Sequence, residues 1–240
     1  MESIVKLQDI IDSSRRIVFF GGAGVSTESG IPDFRSTDGL YNMQYKYPPE
    51  MILSHDFFMS NPQEFYRFYR DKLIVPGIEP NVAHLKLAEL ERAGKLQAVV
   101  TQNIDDLHYR AGSRQVYELH GTTSAYTCLR CRRNYGIECL EQRDTVPHCS
   151  CGGLIKPDVV LYGESLRGDV LEGAISAIAS ADTLIIAGTS LTVYPAAGLV
   201  EYFGGDNLVL INRDATPMDR RADLVIHDKV GRVLEQIKVN

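Results

Sequence analysis

No apolar run approaches the ~18 to 20 residues that a helix needs to cross a bilayer, so a helical membrane span is excluded. Cationic charge is short as well. Against 31 Asp and Glu stand 25 Lys and Arg, a net charge of −6. Binding to nucleic acid is driven largely by Lys and Arg neutralising phosphates, so a generally nucleic-acid-coating surface is excluded and no direct nucleic-acid binding is expected. Cysteines are few, odd in number and confined to residues 128–151. The opening "MESIVKLQDIIDSSRR" places Ile4, Val5, Leu7, Ile10 and Ile11 at helical spacing between charges, which is an amphipathic helix and not the core of a signal peptide. Five clustered thiols without a secretory signal suit a metal site in a reducing compartment better than a disulfide framework, and the expectation is a cytoplasmic protein. Internal repeats and low-complexity linkers are also missing. What remains is a chain of 240 residues, 44% apolar and 23% charged, able to bury a full core as one compact domain or one domain plus a small module.

Apolar, β-rich runs alternate with helical stretches: residues 15–20, 96–103, 115–121, 158–163, 182–190, 207–212 and 223–227. Several are apolar at successive positions, as strands buried on both faces are. Asn81 caps a helix that stops at Gly94, and "DVLEGAISAIAS" precedes the run at 182. The rhythm predicts an α/β fold, a doubly wound parallel-sheet Rossmann-like domain. Two stretches break it, and both read as insertions forming a smaller zinc-binding and helical module. The expected division is a discontinuous large domain of residues 1–32, 79–121 and 157–240. Residues 33–78 carry a cofactor loop and a helix after Asn61-Pro62, and residues 122–156 carry all the cysteines.

"IVFFGGAGVS" is a buried strand running into Gly21, Gly22 and Gly24 and then a helix start. Glycines let the backbone approach a pyrophosphate, and a helix N-terminus offers free N–H groups. The dinucleotide fingerprint breaks at once, because Thr27 holds its third glycine position and the helix can run only from about Val25 to Ser29 before Gly30-Ile31-Pro32. No acidic residue follows at the distance where a hydride-transferring dehydrogenase holds its ribose. Phosphates are expected in the loop, but dehydrogenase chemistry is not. Downstream, Asp33, Phe34 and Arg35 offer an aromatic face and a permanent cation to lie over ribose and phosphates.

Cys128-x2-Cys131 and Cys149-x-Cys151, separated by 17 residues, give two close thiolate pairs suited to a closed, structural zinc site. Cys139 is the spare, with His148 the alternative ligand. Polar groups gather past the buried runs: Gln102, Asn103 and Asp105 in "TQNIDDLH", His120 in "ELHG", Gly188, Thr189 and Ser190 in "AGTSLTVYPAA", and Asn212 after "LVLI". Ligands bind at such carboxyl ends of parallel strands, and histidine is the side chain most ready to take a proton near neutral pH.

Taken in order, "GAGVSTESGIPDFR", "TQNID-x-LH", "ELHG", the paired cysteines, "VVLYGES" and "GTSLTVYPAA" resemble the sirtuin family of NAD-dependent protein lysine deacylases, its compact bacterial-type members in particular. The match spans residues 20 to about 212. The resemblance implies that NAD is consumed. The acyl-lysine oxygen attacks the nicotinamide-bearing ribose carbon, nicotinamide leaves, and the acyl group ends on ADP-ribose as the 2'-O-acyl ester beside free lysine. It further implies that His120 is the general base, Asn103 orients ribose and water, and Ile104 and Asp105 form the nicotinamide pocket. Gly22, Ala23, Gly24, Thr27, Asp33, Phe34, Arg35 and Gln102 map onto the cofactor loop and ribose. Gly188, Thr189, Ser190 and Asn212 map onto the adenosine half, with Val230 near the adenine. The acylated peptide is expected to add as a strand along Val160, Tyr162 and Gly163 on one side and Val193 on the other. Relatives that prefer succinyl or malonyl groups carry a Tyr-x-x-Arg pair. Here Tyr66 is present, but Tyr69 takes the Arg position and Arg70 is out of phase, so neutral short acyl groups are expected. A mono-ADP-ribosyltransferase and a non-catalytic NAD- or peptide-binding module are the alternative readings.

Overall fold

The computed structural model describes residues 2–33, 45–142 and 145–239. Helix α1 (Glu2–Ser13) turns Leu7, Ile10 and Ile11 inward and leads to strand β1 (Ile17–Gly21), buried at every position. Two 3-10 turns, Ala23–Val25 and Thr27–Ser29, follow where a short helix from Val25 to Ser29 was expected. Gly30, left-handed at φ 92°, ends the second turn. Phe34 and Arg35 lie outside the described residues.

The helical insertion is built from α2 (Pro49–Ile52), α3 (His55–Ser60) and α4 (Pro62–Lys72). Ser54 caps α3 by accepting from the Phe57 amide, and Asn61 caps α4 by accepting from that of Glu64. Then come α5 (Val82–Arg92), capped by Asn81 as the sequence predicts, β2 (Leu96–Thr101), α6 (Leu107–Arg110) and β3 (Val116–Glu118). The chain next makes β4 (Gly121–Cys128), β5 (Asn134–Tyr135) and β6 (Ile155–Val159), and returns through α7 (Gly168–Ser180), β7 (Thr183–Ala187), β8 (Asn207–Ile211), β9 (Leu224–Ile226) and α8 (Val230–Leu234).

Six strands form a parallel sheet in the order β3-β2-β1-β7-β8-β9. Counted within that sheet alone, this is the 3-2-1-4-5-6 order of a Rossmann-like domain, reversing between β1 and β7. Side chains alternate along β1. Ile17 and Phe19 face a core shared with α1, α5 and α8, whereas Val18 and Phe20 face one shared with α7 and residues 196–200. Both faces being covered is the reason β1, β7 and β8 carry apolar residues at successive positions.

The run at 158–163, expected among these strands, does not join them. Only Asp158 and Val159 of it are in strand, at the end of β6, which is antiparallel to β4 in a three-stranded sheet β5-β4-β6. The exposure of β6 alternates, Ile155, Pro157 and Val159 facing inward, which marks a strand with one covered face. Gly121 makes the passage from the large sheet to the small one possible. It has φ 75°, and a Cβ there would lie 1.9 Å from the Asp158 carbonyl oxygen. The small sheet packs on the helical insertion through Phe58, Phe65, Tyr66, Tyr69, Tyr126 and Ile155. No helix among the described residues is long and apolar enough to cross a membrane.

Candidate active site

A cleft of about 390 Å³ opens at the carboxyl ends of the parallel strands, over the point where the strand order reverses. Of the residues singled out from the sequence, Gly22, Ala23, Gly24, Asp33, Gln102, Asn103, Ile104, His120, Gly188, Thr189, Ser190 and Asn212 line it, and so do Val160, Tyr162, Gly163 and Val193. The loops after β1 and β7 are fastened by main-chain bonds that continue the strand ladder. The Gly22 amide donates to Ala187 O at 3.2 Å and the Gly24 amide to Gly188 O at 2.8 Å. Close meshing is what requires glycine here. A Cβ on Gly24 would lie 2.8 Å from the Gly188 Cα, and one on Gly22 would lie 2.8 Å from the Thr189 Cβ.

His120 follows β3. Its Nδ1 lies 3.0 Å from the Gln102 carbonyl oxygen, an atom that can only accept, so Nδ1 carries the proton and Nε2 is left as the acceptor. Burial lowers the His120 pKa and outweighs the carbonyl's opposite pull, so the ring is neutral at pH 7. The Gln102 side chain turns away and donates to Thr189 Oγ1 at 3.0 Å, tying the β2 loop to the β7 loop.

Asn103 is 9% exposed, with its amide donating to Thr101 Oγ1 and its side-chain Nδ2 donating to Ser26 Oγ, both at 3.0 Å. Behind it lies a buried polar chain that sequence reasoning missed. The Asn81 amide donates to His84 Nδ1, which leaves the His84 Nε2 proton for Ser26 Oγ at 3.5 Å. Ser26 in turn donates to Asp105 Oδ2 at 2.5 Å. Each proton in this series has one consistent place, so the Asn103 side chain is held from behind. The cap-and-His pattern Asn81-x-x-His84 was visible in the sequence as a helix start, but nothing there pointed it toward Ser26.

Three expected residues stand elsewhere. Asp105 lines a neighbouring hollow of about 210 Å³ with Ile31, Ile74 and Arg110, and Leu73 borders both cavities. Thr27 donates to Gly24 O within its own turn. Val230, 2% exposed, points into the core, and it is the Gly231 amide that reaches the cofactor loop, donating to Glu28 Oε2 at 2.6 Å. At the other end, Leu53, Leu73, Ile104, Val159 and Leu161 give the cleft an apolar wall. Tyr66 does not reach it, because its hydroxyl is buried against the Ile155 carbonyl. Arg70 is held on Leu140 O and Thr145 O. Residues 191–195, expected to flank a peptide as a strand, form turns with a cis Tyr194-Pro195 bond.

Two titrations near the site have opposite signs. Burial lowers His84 to about 4, a contribution to stability present above pH 6.5 and lost as pH falls toward 4. Burial, with Asp106 and Asp105 nearby, raises Glu118 to about 7, so its ionisation destabilises the fold as pH rises from 4.5 through 7. Glu118→Gln is therefore expected to stabilise the protein by about 2 kcal/mol at pH 8, allowing for partial exposure, and by almost nothing at pH 4.5. Urea unfolding at the two pH values measures it, and an equal effect at both would contradict the assignment.

The four cysteines Cys128, Cys131, Cys149 and Cys151 converge, with their sulfurs all within 4.8 Å of one another. The pairs Cys128–Cys151 and Cys131–Cys149 stand at 3.6 and 3.5 Å, near the roughly 3.8 Å edge of a tetrahedron with 2.3 Å zinc–sulfur bonds. None is in a disulfide. Four thiolates fill a tetrahedral shell and leave no position for a reacting water. Cys139 packs apart in the module core, with burial pushing its thiol up to about 11, and His148 is turned onto Val146 O.

Comparison with known proteins gives one consistent picture. A family profile described as "Sir2 family" matches residues 22–195. The NAD-dependent protein deacetylase of Clostridium acetobutylicum is 52% identical over 241 residues, covering 99% of this chain and 98% of that protein. The enzyme of the same name from Clostridium perfringens is 55% identical over 240 residues, covering 98% of each. A solved Sir2 variant with a deacetylated p53 peptide and 3'-O-acetyl ADP-ribose superposes with a TM-score of 0.89 at 43% identity, covering 97% of this chain and 96% of that one. Sir2 with a p53 peptide and NAD+ gives a TM-score of 0.85 at 42% identity, covering 96% and 95%.

Proposed function

Because the chain belongs to the Sir2 family and is an NAD-dependent protein deacetylase, we propose that the cleft at the strand ends is where NAD and an acylated lysine side chain meet, and that His120 is its base. NAD supplies the ADP-ribose that accepts the acyl group and releases nicotinamide. The carrying observation is the neutral His120, fixed by the Gln102 carbonyl beside Asn103, with an Nε2 that has no partner among the described residues. His120 takes the ribose hydroxyl proton as that oxygen attacks the acyl carbon, while Asn103, braced by Ser26, orients the ribose and the water. Gly22, Ala23 and Gly24 face the phosphates, with Thr27 shaping their turn, and Gly188, Thr189, Ser190 and Asn212 face the adenosine half. Asp33 faces the ribose, and the sequence assigns Phe34 and Arg35 to the same end of the cofactor. Ile104 and Asp105, standing between the cleft and its neighbouring hollow, take the nicotinamide. Val230 acts only through the backbone of α8.

The acyl-lysine enters along Val160, Tyr162 and Gly163, opposite Val193. Tyr162 has its amide on Leu53 O and its carbonyl on the His55 amide, whereas the main chain of Gly163 has no hydrogen-bond partner among the described residues and is left to bond a peptide. The same proposal divides the chain into residues 1–32, 79–121 and 157–240 as the NAD-binding domain, 33–78 as cofactor loop and helices, and 122–156 as zinc module. It places the enzyme in the cytoplasm, where clustered thiols stay reduced, with no direct nucleic-acid partner at a net charge of −6.

Incubation with NAD and a panel of acyl-lysine peptides, with mass spectrometry of both products, tests the reaction. Free lysine, nicotinamide and 2'-O-acetyl-ADP-ribose in equal amounts are expected. Label from NAD on a protein would instead favour mono-ADP-ribosyl transfer. The apolar wall and the engagement of Arg70 elsewhere leave a succinyl carboxylate without a cation from α4. Acetyl peptide is expected to exceed succinyl peptide in kcat/KM by roughly 10- to 100-fold, the usual penalty for an unpaired buried charge.

A further inference from the structure

The two cysteine loops of the small module touch through more than sulfur. Arg130 Nη1 donates to the Cys151 carbonyl at 2.8 Å, Arg133 Nη1 to Ser150 Oγ at 3.0 Å, and the Tyr135 hydroxyl to Cys149 Sγ at 2.9 Å. Three side chains from one loop thus hold three successive residues of the other. Tyr135 is aimed by β5, where it pairs with Tyr126 of β4.

The two loops differ in spacing. The first loop, Cys128-x2-Cys131, has the Cys131 amide 3.5 Å from Cys128 Sγ. The second is shorter by one residue, and its own amide bond, Cys151 to Cys149 Sγ, is also 3.5 Å long. The nearest donor to Cys149 Sγ is a phenol from outside the loop. A thiolate bound to zinc carries charge that such a donor spreads, and outer partners of this kind orient the ligand and retain the ion.

We propose that Tyr135 is a positioning residue of the metal site, and that with Arg130 and Arg133 it clamps residues 149–151 in the shape that holds zinc. This rests on the four cysteines binding zinc, a premise that the zinc content of the wild-type chain tests separately.

The experiment follows zinc transfer from the loaded, full-length protein to the chromophoric chelator 4-(2-pyridylazo)resorcinol. Tyr135→Phe keeps the ring and removes the donor, and is expected to release zinc ~10-fold faster. Ser150→Ala, at an exposed position, removes the Arg133 contact and should accelerate release about 3-fold, the size of one ordinary hydrogen bond. Thr127→Val removes a hydrogen bond to Asn134 in the same strand pair, with no sulfur involved, and should release at the wild-type rate. Wild-type release by Tyr135→Phe, or equal acceleration by Thr127→Val, would overturn the proposal. A Tyr135→Phe chain recovered folded but zinc-free is the expected result in its extreme form. If that variant is recovered unfolded, Ser150→Ala decides, and a wild-type rate there overturns the clamp.

Discussion

His120→Ala is expected to lower kcat for deacetylation by roughly 10²- to 10⁴-fold, the usual contribution of a positioned general base, with NAD affinity changed only a few-fold. The asymmetry follows from geometry. The His120 side chain makes one hydrogen bond, to the Gln102 carbonyl, whereas the phosphate and adenosine ends of the cleft are built from the β1, β7 and β8 loops, which the substitution leaves untouched. The pH profile carries an independent sign. Burial lowers the His120 pKa, so the acid limb of kcat/KM should be centred below the ordinary histidine value of about 6.5. A variant that keeps full turnover, or a wild-type rate that climbs steadily from pH 6.5 to 8, would remove His120 from this role.

Cys149→Ser should do comparable damage by another route. A closed thiolate site contributes about 10 to 16 kcal/mol of apparent binding free energy, more than a small module can otherwise muster. Loss of one ligand is expected to abolish bound zinc and to open residues 122–156 to proteolysis. The parallel sheet should survive, because its two cores lie on either side of β1 and share no residue with the module's core. Activity is lost all the same, since Val159 and Leu161 follow from the module's sheet into the wall of the cleft. Elemental analysis and limited proteolysis read the two halves of this expectation. A zinc-free chain with wild-type turnover would refute it.

Much of this was legible in the amino-acid order, and the reason is periodicity. Strands covered on both faces are apolar at successive positions, so β1, β2, β7 and β8 announce a parallel sheet. Polar residues just past those runs mark the cleft. What stayed hidden depends on contacts far apart in sequence. The run at 158–163 reads as a strand of the large sheet, because nothing local reveals that its first residues end β6, whose partner is β4. The helix expected after Gly24 is instead a pair of 3-10 turns, in which the Val25 and Ser26 amides donate three residues back to Gly22 O and Ala23 O. Leu53 and Leu73, on an insertion with no motif of its own, enter the cleft only once the small sheet has docked. Ser26 looked like one more polar residue in a turn until its three partners, at positions 84, 103 and 105, could be seen together.

The meshing of Gly22 and Gly24 with Gly188 and Thr189 bears on how this protein can be re-engineered. Two loops more than 160 positions apart share one thickness of backbone, so neither can be exchanged alone. Anyone grafting a different nucleotide preference onto this scaffold would have to transplant both as a single cassette. Random libraries that vary only the first should return mostly misfolded chains.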